Sequence, residues 1–403
     1  MTTISHPELE PILSPERRED ATFMELALQQ ARRAYGRTTP NPMVGTVIVR
    51  DGVVLGRGYH RHAGQDHGEV AAIKDARTRG NDVRGATLYT NLEPCCHHAR
   101  TPPCTDACIN AGIARVVSGI VDPNPKVSGQ GLFTLFDAGI EVTVGVMGDR
   151  CRALNAPFIT RFTKGRPHVT VKVAMSLDGR IATRTGASFP LTGDQARRRV
   201  HVLRDRVDAI LVGRRTIELD DPRLTCRLPF ALAGDNGPRD PVRVILDPEL
   251  RCPLDAKIFQ LVATGESLAT TAVVIAEDAN PDAAKLAVLE GLQIQIIRCP
   301  RGENGRLDLP ALLKTLADND LSAVLVEGGA TTITEFVEAD LVDAWIAHVA
   351  PVLIGGEGAP SPLAGLGAEN LADVRRLTGI QMRQLGPDIE LAAPVMGDVY
   401  GLG

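Results

Sequence analysis

Two short stretches hold the side chains with the richest chemistry. "QDHGEV" sets His67 and Glu69 two residues apart, and "LEPCCHHARTPPC" packs Cys95, Cys96, His97, His98 and Cys104 into one segment. A catalytic zinc wants three protein ligands of the imidazole and thiolate type, with a fourth position left for water. A carboxylate two residues from the imidazole can reach that water without binding the metal. On this chemistry His67, Cys95 and Cys104 are the metal ligands and Glu69 the proton carrier. Cys96 points a different way from Cys95 on any regular turn, and His97 and His98 fall between the two cysteines, where lining a pocket suits them better than ligation. A closed four-ligand site that merely holds the loop together would leave Glu69 without work. Ordinary core cysteines beside surface histidines would leave this density of ligands unexplained.

His-x-Glu with a later Pro-Cys-x-x-Cys is the general signature of zinc-dependent base deaminases. Here the second cysteine comes later, since Cys95 follows Pro94 but its partner is Cys104. A separate chemistry is written in "AVLVEGGATTITEF", a strand, a glycine pair and a helix start. Bare backbone N–H groups at a helix N-terminus suit an anion such as a dinucleotide pyrophosphate, although a glycine pair alone also makes an ordinary strand-to-helix turn.

These residues need elements to hold them. At 403 residues the chain is too long for one core, so two domains are expected. Residues 1–20 read as a tail, and helical spacing begins at Ala21. "MVGTVIVRDGVVLGRGYH" reads as two strands joined at Asp51-Gly52, followed by a helix near Glu69 to Thr78, the strands "ATLYT" and "ARVVSGI", a helix near Gly131 to Ala138 and the strand "IEVTVGV". Periodicity weakens from Arg150 to Arg166, and strands resume at "HVTVKVAMS", so the domains are expected at 21–163 and 164–403. The second again alternates strands and helices, which makes both α/β. A net charge of -5 with interspersed signs and only 3% aromatic residues argues against a nucleic-acid partner. No apolar run reaches membrane-spanning length and the start lacks a signal pattern, so a cytoplasmic protein with no membrane partner is expected.

The motifs "PNPMVGTVIVRDG", "GRGYHRHAG", "HGEV", "LEPCCHHARTPPC", "VDPNPKVSGQG", "SLDGRIA", "TGDQARR", "DDPRLT" and "VEGGATT" occur in an order that resembles the bifunctional riboflavin-biosynthesis family. That family fuses a diaminohydroxyphosphoribosylaminopyrimidine deaminase to a 5-amino-6-(5-phosphoribosylamino)uracil reductase. The resemblance implies a cytidine-deaminase-like domain followed by a dihydrofolate-reductase-like one, with Zn2+ and NADPH as cofactors, a pyrimidine ribotide phosphate as substrate, and a homo-oligomer. It implies zinc on His67, Cys95 and Cys104, with Glu69 shuttling protons and Asn41 lining the pocket. In the second domain Ala174, Thr216, Asp220, Gly329, Ala330, Thr331 and Thr332 resemble cofactor-contacting positions. Ser188, Arg204, Leu224, Arg227 and Glu327 resemble substrate-contacting ones, the two arginines as clamps on the ribose phosphate. The chain departs from the family at Gly68, where alanine is usual, at Ala99, where glycine is usual, and at Pro190, where an aromatic residue is usual. The last departure raises the alternative of a deaminase whose reductase half is inactive or diverged.

Overall fold

A computed structural model describes residues 15–97, 102–187, 190–233 and 237–395. It divides into two compact units, one ending at Asn155 and the other beginning at Ala156. The first opens with α1 (Pro15–Arg32), which starts ahead of Ala21 because proline is preorganised for the first helical turn. Asp20, assigned to the tail by its polar neighbourhood, is instead buried and held by Arg115 Nη1 at 2.8 Å and the Tyr89 hydroxyl at 3.0 Å.

The hairpin β1 (Gly45–Arg50) and β2 (Val53–Tyr59) turns at Asp51 and Gly52, both with positive φ. After α2 (Gly68–Thr78) come β3 (Thr87–Thr90), α3 (Cys104–Ala111), β4 (Arg115–Ser118), α4 (Gln130–Asp137), β5 (Glu141–Val144) and α5 (Gly148–Leu154). The sheet order is β2-β1-β3-β4-β5, antiparallel at the hairpin end and parallel from β3 onward. Ile48, Leu88 and Val116 stand in register on one face and pack with Ala72, Ile73, Cys108 and Leu135 from α2, α3 and α4. Phe23 of α1 meets Tyr89 on the other face, so helices cover the sheet on both sides.

The second unit begins with α6 (Ala156–Lys164), which packs on β6 (His168–Ser176). The segment 156–163, which weak periodicity assigned to the first domain, therefore groups with the second. Next are α7 (Asp194–Arg206), β7 (Ala209–Gly213), α8 (Arg214–Asp220), β8 (Val242–Leu246), α9 (Lys257–Ala263), β9 (Thr271–Ala276), α10 (Ala283–Gly291), β10 (Gln295–Cys299), α11 (Leu309–Asp318), β11 (Ala323–Val326), α12 (Ala330–Glu338), β12 (Ala344–Ala350), β13 (Gln381–Leu385) and β14 (Asp388–Pro394). Their order in one sheet is β10-β9-β8-β7-β11-β6-β12-β14-β13, parallel except for the final hairpin. Successive residues of β7, β8 and β9 alternate between two cores, with Leu211, Val244 and Val274 facing α11 and α12, and Ile210, Ile245 and Val273 facing α9 and α10. Burial on both faces is why these strands read as continuous apolar runs. The chain runs outward from β6 to β10 and then returns β11 between β6 and β7. That reversal is where ligands settle beyond the carboxyl ends of parallel strands.

Candidate functional site

The first site forms where three elements end together. His67 caps α2 in an extended conformation and Glu69 lies in its first turn; Cys95 follows β3 in a loop, and Cys104 opens α3. One ligand atom from each of His67, Cys95 and Cys104 lies within 4.8 Å of the others. His67 Nδ1 is 3.3 Å from Cys104 Sγ and 3.5 Å from Cys95 Sγ, and the Cys104 N–H donates to Cys95 Sγ at 3.5 Å. The neighbouring Cys104 thiol and the imidazole draw the Cys95 thiol down to about 4 despite burial. Neither Cys96 nor His97 joins this group, and His98 lies outside the described residues. Glu69 is 2% exposed, its Oε2 has no hydrogen-bond partner, and burial pushes its carboxyl up to about 7. An orphaned carboxylate oxygen beside two thiols and an imidazole is the donor set that a catalytic zinc and its water would satisfy, so the residues fit the metal.

The supporting contacts include one that the motif reading left unassigned. His60 is buried, its Nδ1 is 3.0 Å from the Asp66 carbonyl, its Nε2 is 3.0 Å from Asn41 Nδ2, and its ring meets the His67 ring edge-on at 5.1 Å. Asn41 is thereby tied to the metal cluster. Glu93 accepts N–H bonds from Asp122 and Gly129 at Oε2 and from Gly131 and Leu132 at Oε1, over 2.8 to 3.3 Å. It fastens the "VDPNPKVSGQG" loop and the start of α4 to the chain two residues ahead of Cys95. Gly68 faces Thr46, whose Oγ1 lies 2.8 Å from where a β-carbon at 68 would sit. The glycine is thus a fit to this neighbour rather than a loosened helix start. Ala99 lies outside the described residues.

The second site is a cleft of about 800 Å³ at the carboxyl ends of β7, β8 and β11. Thr216, Asp220, Gly329, Ala330, Thr331 and Thr332 line it; Ala174, on β6, does not. The glycines act here through space as much as through bare N–H groups. A β-carbon at Gly213 would fall 2.5 Å from Thr332 Oγ1 and one at Gly328 would fall 2.9 Å from Thr332 Cβ, so both make room for the first turn of α12. Pro190 is exposed and is not among the lining residues.

The residues expected at substrate form a separate cluster. Arg204 of α7 grips Glu327, just past β11, with Nη2 to Oε2 at 2.7 Å and Nε to Oε1 at 3.2 Å, and donates to the Thr225 carbonyl at 3.1 Å. Its fork is therefore filled by protein, whereas exposed Arg227 holds only Thr225 Oγ1 with its guanidinium among the contacts seen. Leu224 turns its side chain into the core at φ 51, which leaves only its backbone to a ligand. Ser188 lies outside the described residues. Lys172 of β6 joins the cluster unforeseen: burial lowers its pKa while Glu327 opposes the shift. A lysine between valines in "HVTVKVAMS" was the available signal, because strand alternation places it on the face opposite the apolar core.

Fold and sites together define a deaminase-type unit with a zinc-fitting cluster and a reductase-type α/β unit with a cleft at its strand ends. Comparison with known proteins agrees. Residues 17–120 match the cytidine and deoxycytidylate deaminase zinc-binding region, and residues 167–391 match the RibD C-terminal domain. The riboflavin biosynthesis protein RibD of Aquifex aeolicus is 40% identical over 92% of this chain and 97% of its own length; that of Escherichia coli is 39% identical over 92% and 98%. The structure of Acinetobacter baumannii RibD superposes with a TM-score of 0.80 at 36% identity, covering 94% of this chain and 100% of its own. A Thermotoga maritima structure, titled as a diaminohydroxyphosphoribosylaminopyrimidine deaminase/5-amino-6-(5-phosphoribosylamino)uracil reductase, gives 0.79 at 33% identity with the same coverage. The chain belongs to the RibD family of riboflavin biosynthesis proteins, bifunctional enzymes with a zinc-dependent deaminase half and an NADPH-dependent reductase half. Nothing in these comparisons favours an inactive second half.

Proposed function

We propose that the first unit hydrolyses the ring amine of 2,5-diamino-6-(5-phosphoribosylamino)pyrimidin-4(3H)-one, and that the second reduces the ribosyl group of the product to ribityl. The convergence of His67, Cys95 and Cys104 around the unpartnered Glu69 oxygen carries the first half of this reading. These three residues hold zinc. When bound, the metal supplies the polarisation that lets water act as a nucleophile near neutral pH. Glu69 takes a proton from the attacking water and delivers it to the leaving amine, so water and amine exchange for carbonyl and ammonia. Asn41, held by His60 beside His67, lines the pocket that receives the ring.

In the second unit Thr216, Asp220 and the turn from Gly329 to Thr332 would hold the dinucleotide, the N–H groups at the start of α12 suiting an anion. Arg227 takes the ribose phosphate. Arg204 fixes Glu327 in place, and Glu327 with Lys172 meets the ribosyl group. NADPH, when bound, would supply the hydride that reduces the sugar carbon, and this unit's own residues position the ribosyl group for it.

The test follows ammonia release and NADPH oxidation separately on the purified chain, beside Glu69→Gln. The variant is expected to lose ammonia release by about 10²- to 10⁴-fold. It should retain its metal by elemental analysis and still oxidise NADPH when given the deaminated product. Undiminished ammonia release in Glu69→Gln would refute the role given to Glu69.

A further inference from the structure

His348 lies in the middle of β12, and the proposed reaction gives it no work. It is fully buried. Its Nε2 is 3.1 Å from Glu390 Oε2, to which Arg199 Nε of α7 also donates at 2.8 Å, whereas its Nδ1 has no hydrogen-bond partner among the described residues. An ionised carboxylate only accepts, so Nε2 carries the imidazole proton and Nδ1 is left as a bare, buried lone pair.

Strand register shows what stands next to it. His348 pairs with Ala174 of β6 and Ile346 with Lys172, which makes His348 and Lys172 diagonal neighbours on one face, with Val171 and Val173 in the apolar core on the other. On the opposite flank of β6, Leu325 of β11 pairs with Thr170, so Glu327, two residues on, falls beside Lys172. α7 spans this row, holding Glu390 through Arg199 and Glu327 through Arg204. Lys172 itself is half-buried, and its ammonium makes no hydrogen bond or ion pair among the described residues. An ammonium has three N–H donors on a flexible stem. With one directed to Glu327 and one to the bare nitrogen of His348, the third is left for the sugar.

We propose that His348 is a positioning residue of the reductase half, whose Nδ1 accepts from the Lys172 ammonium and so directs a Lys172 proton at the ribosyl ring oxygen. The inference rests on the reading that Glu327 and Lys172 meet the ribosyl group. Opening that ring breaks the bond between C1′ and the ring oxygen; the carbon gains the hydride that NADPH supplies, and the oxygen gains one proton, which Lys172 provides.

The neighbouring charges set the direction of the pH effect. Burial opposes ionisation of Glu327, but Arg204 outweighs it, and Glu390 is likewise held ionised by His348 and Arg199. Burial keeps His348, and His201 of α7, below their ordinary values and so neutral. Arg199, Arg204 and Arg383, whose Nε is 3.9 Å from Glu390, stay charged. Lys172, which burial also draws down, is the member of this row that gives up its charge as pH rises.

The test compares His348→Gln, whose amide keeps a donor near the Nε2 position, with His348→Asn, whose amide oxygen replaces the Nδ1 acceptor. On the full chain, the rate of Lys172 acetylation by acetic anhydride is followed against pH by peptide mass spectrometry, beside the pH profile of kcat for NADPH oxidation on the deaminated product. Removing the acceptor disfavours the ammonium, so His348→Gln is expected to move both the Lys172 titration and the alkaline limb of kcat down by about one pH unit. His348→Asn should keep both near wild type. An unchanged Lys172 titration in His348→Gln overturns the proposal, and so does an equal fall in both variants, which would make His348 a packing residue. A shifted titration with an unmoved limb would instead remove Lys172 from the reduction, and with it the reading on which the proposal rests.

Discussion

Glycine at position 68 is best understood through its neighbour. Alanine there would gain roughly 1 kcal/mol of helix propensity, yet its methyl would press on Thr46 Oγ1 at 2.8 Å and crowd the Val44 carbonyl at 3.1 Å. Thr46 is fully buried on β1 and its hydroxyl oxygen has no hydrogen-bond partner, so removing that hydroxyl leaves nothing unsatisfied behind. Gly68→Ala alone is expected to destabilise by about 1–2 kcal/mol through overpacking. Thr46→Ala combined with Gly68→Ala should return stability to wild type or above. Urea unfolding of the two single variants and the pair checks this. Simple additivity would show that the two positions do not compete for the same space.

Among the elements, the loop bearing Cys95 is held by a neighbour in sequence that does no chemistry. Glu93 gathers four backbone N–H groups from the segment 122–132, including the start of α4. An acceptor at a helix N-terminus satisfies groups that have no partner inside the helix. Glu93→Ala would leave those donors buried and unmet, with an expected loss on the order of 3 kcal/mol. The loop should also hold zinc less firmly, seen as faster metal transfer to a chromophoric chelator. Destabilisation without any change in the rate of metal loss would separate α4 from the metal loop.

At the scale of the whole molecule, the two chemistries draw on different cores. All three residues proposed to hold zinc belong to the first unit and the whole cleft to the second. A strong chelator should therefore abolish ammonia release while leaving NADPH oxidation on the deaminated product intact. Loss of both rates on chelation would contradict this division. The second unit also carries a buried acid. Burial opposes ionisation of Glu390, but His348 Nε2 at 3.1 Å and Arg199 Nε at 2.8 Å outweigh it and hold the carboxyl down at about 2, below its ordinary 4.5. A depressed carboxyl stabilises the fold above its unfolded value and loses that contribution as pH falls toward its folded value. Stability of this unit should accordingly fall between about pH 4.5 and pH 2 more steeply than in Glu390→Gln. Trp345 on β12 is the chain's single tryptophan, so its fluorescence reports on this unit alone. Parallel pH profiles for the two proteins would show that Glu390 contributes nothing to acid stability.

The sequence alone determined the family, most strands and helices, and the set of side chains from which a zinc site could be built. Strands buried on both faces and helices with one apolar face write their period directly into the chain. It left out elements without such a pattern, namely α3, α5, α6, α8, α9 and the hairpin of β13 and β14. Their short or mixed faces gain order from what they pack against, as α6 does from β6. Only the tertiary structure decided that His60 stands behind His67, that Arg204 is occupied by Glu327 while Arg227 is freer, and that Lys172 completes their cluster. These pairings join residues 7 to 123 positions apart, or lie on neighbouring strands that are distant in sequence. Local spacing limits which residues can meet along one helix or strand, but strand order limits which can meet across a sheet, and strand order is fixed by how the whole chain buries its apolar surface.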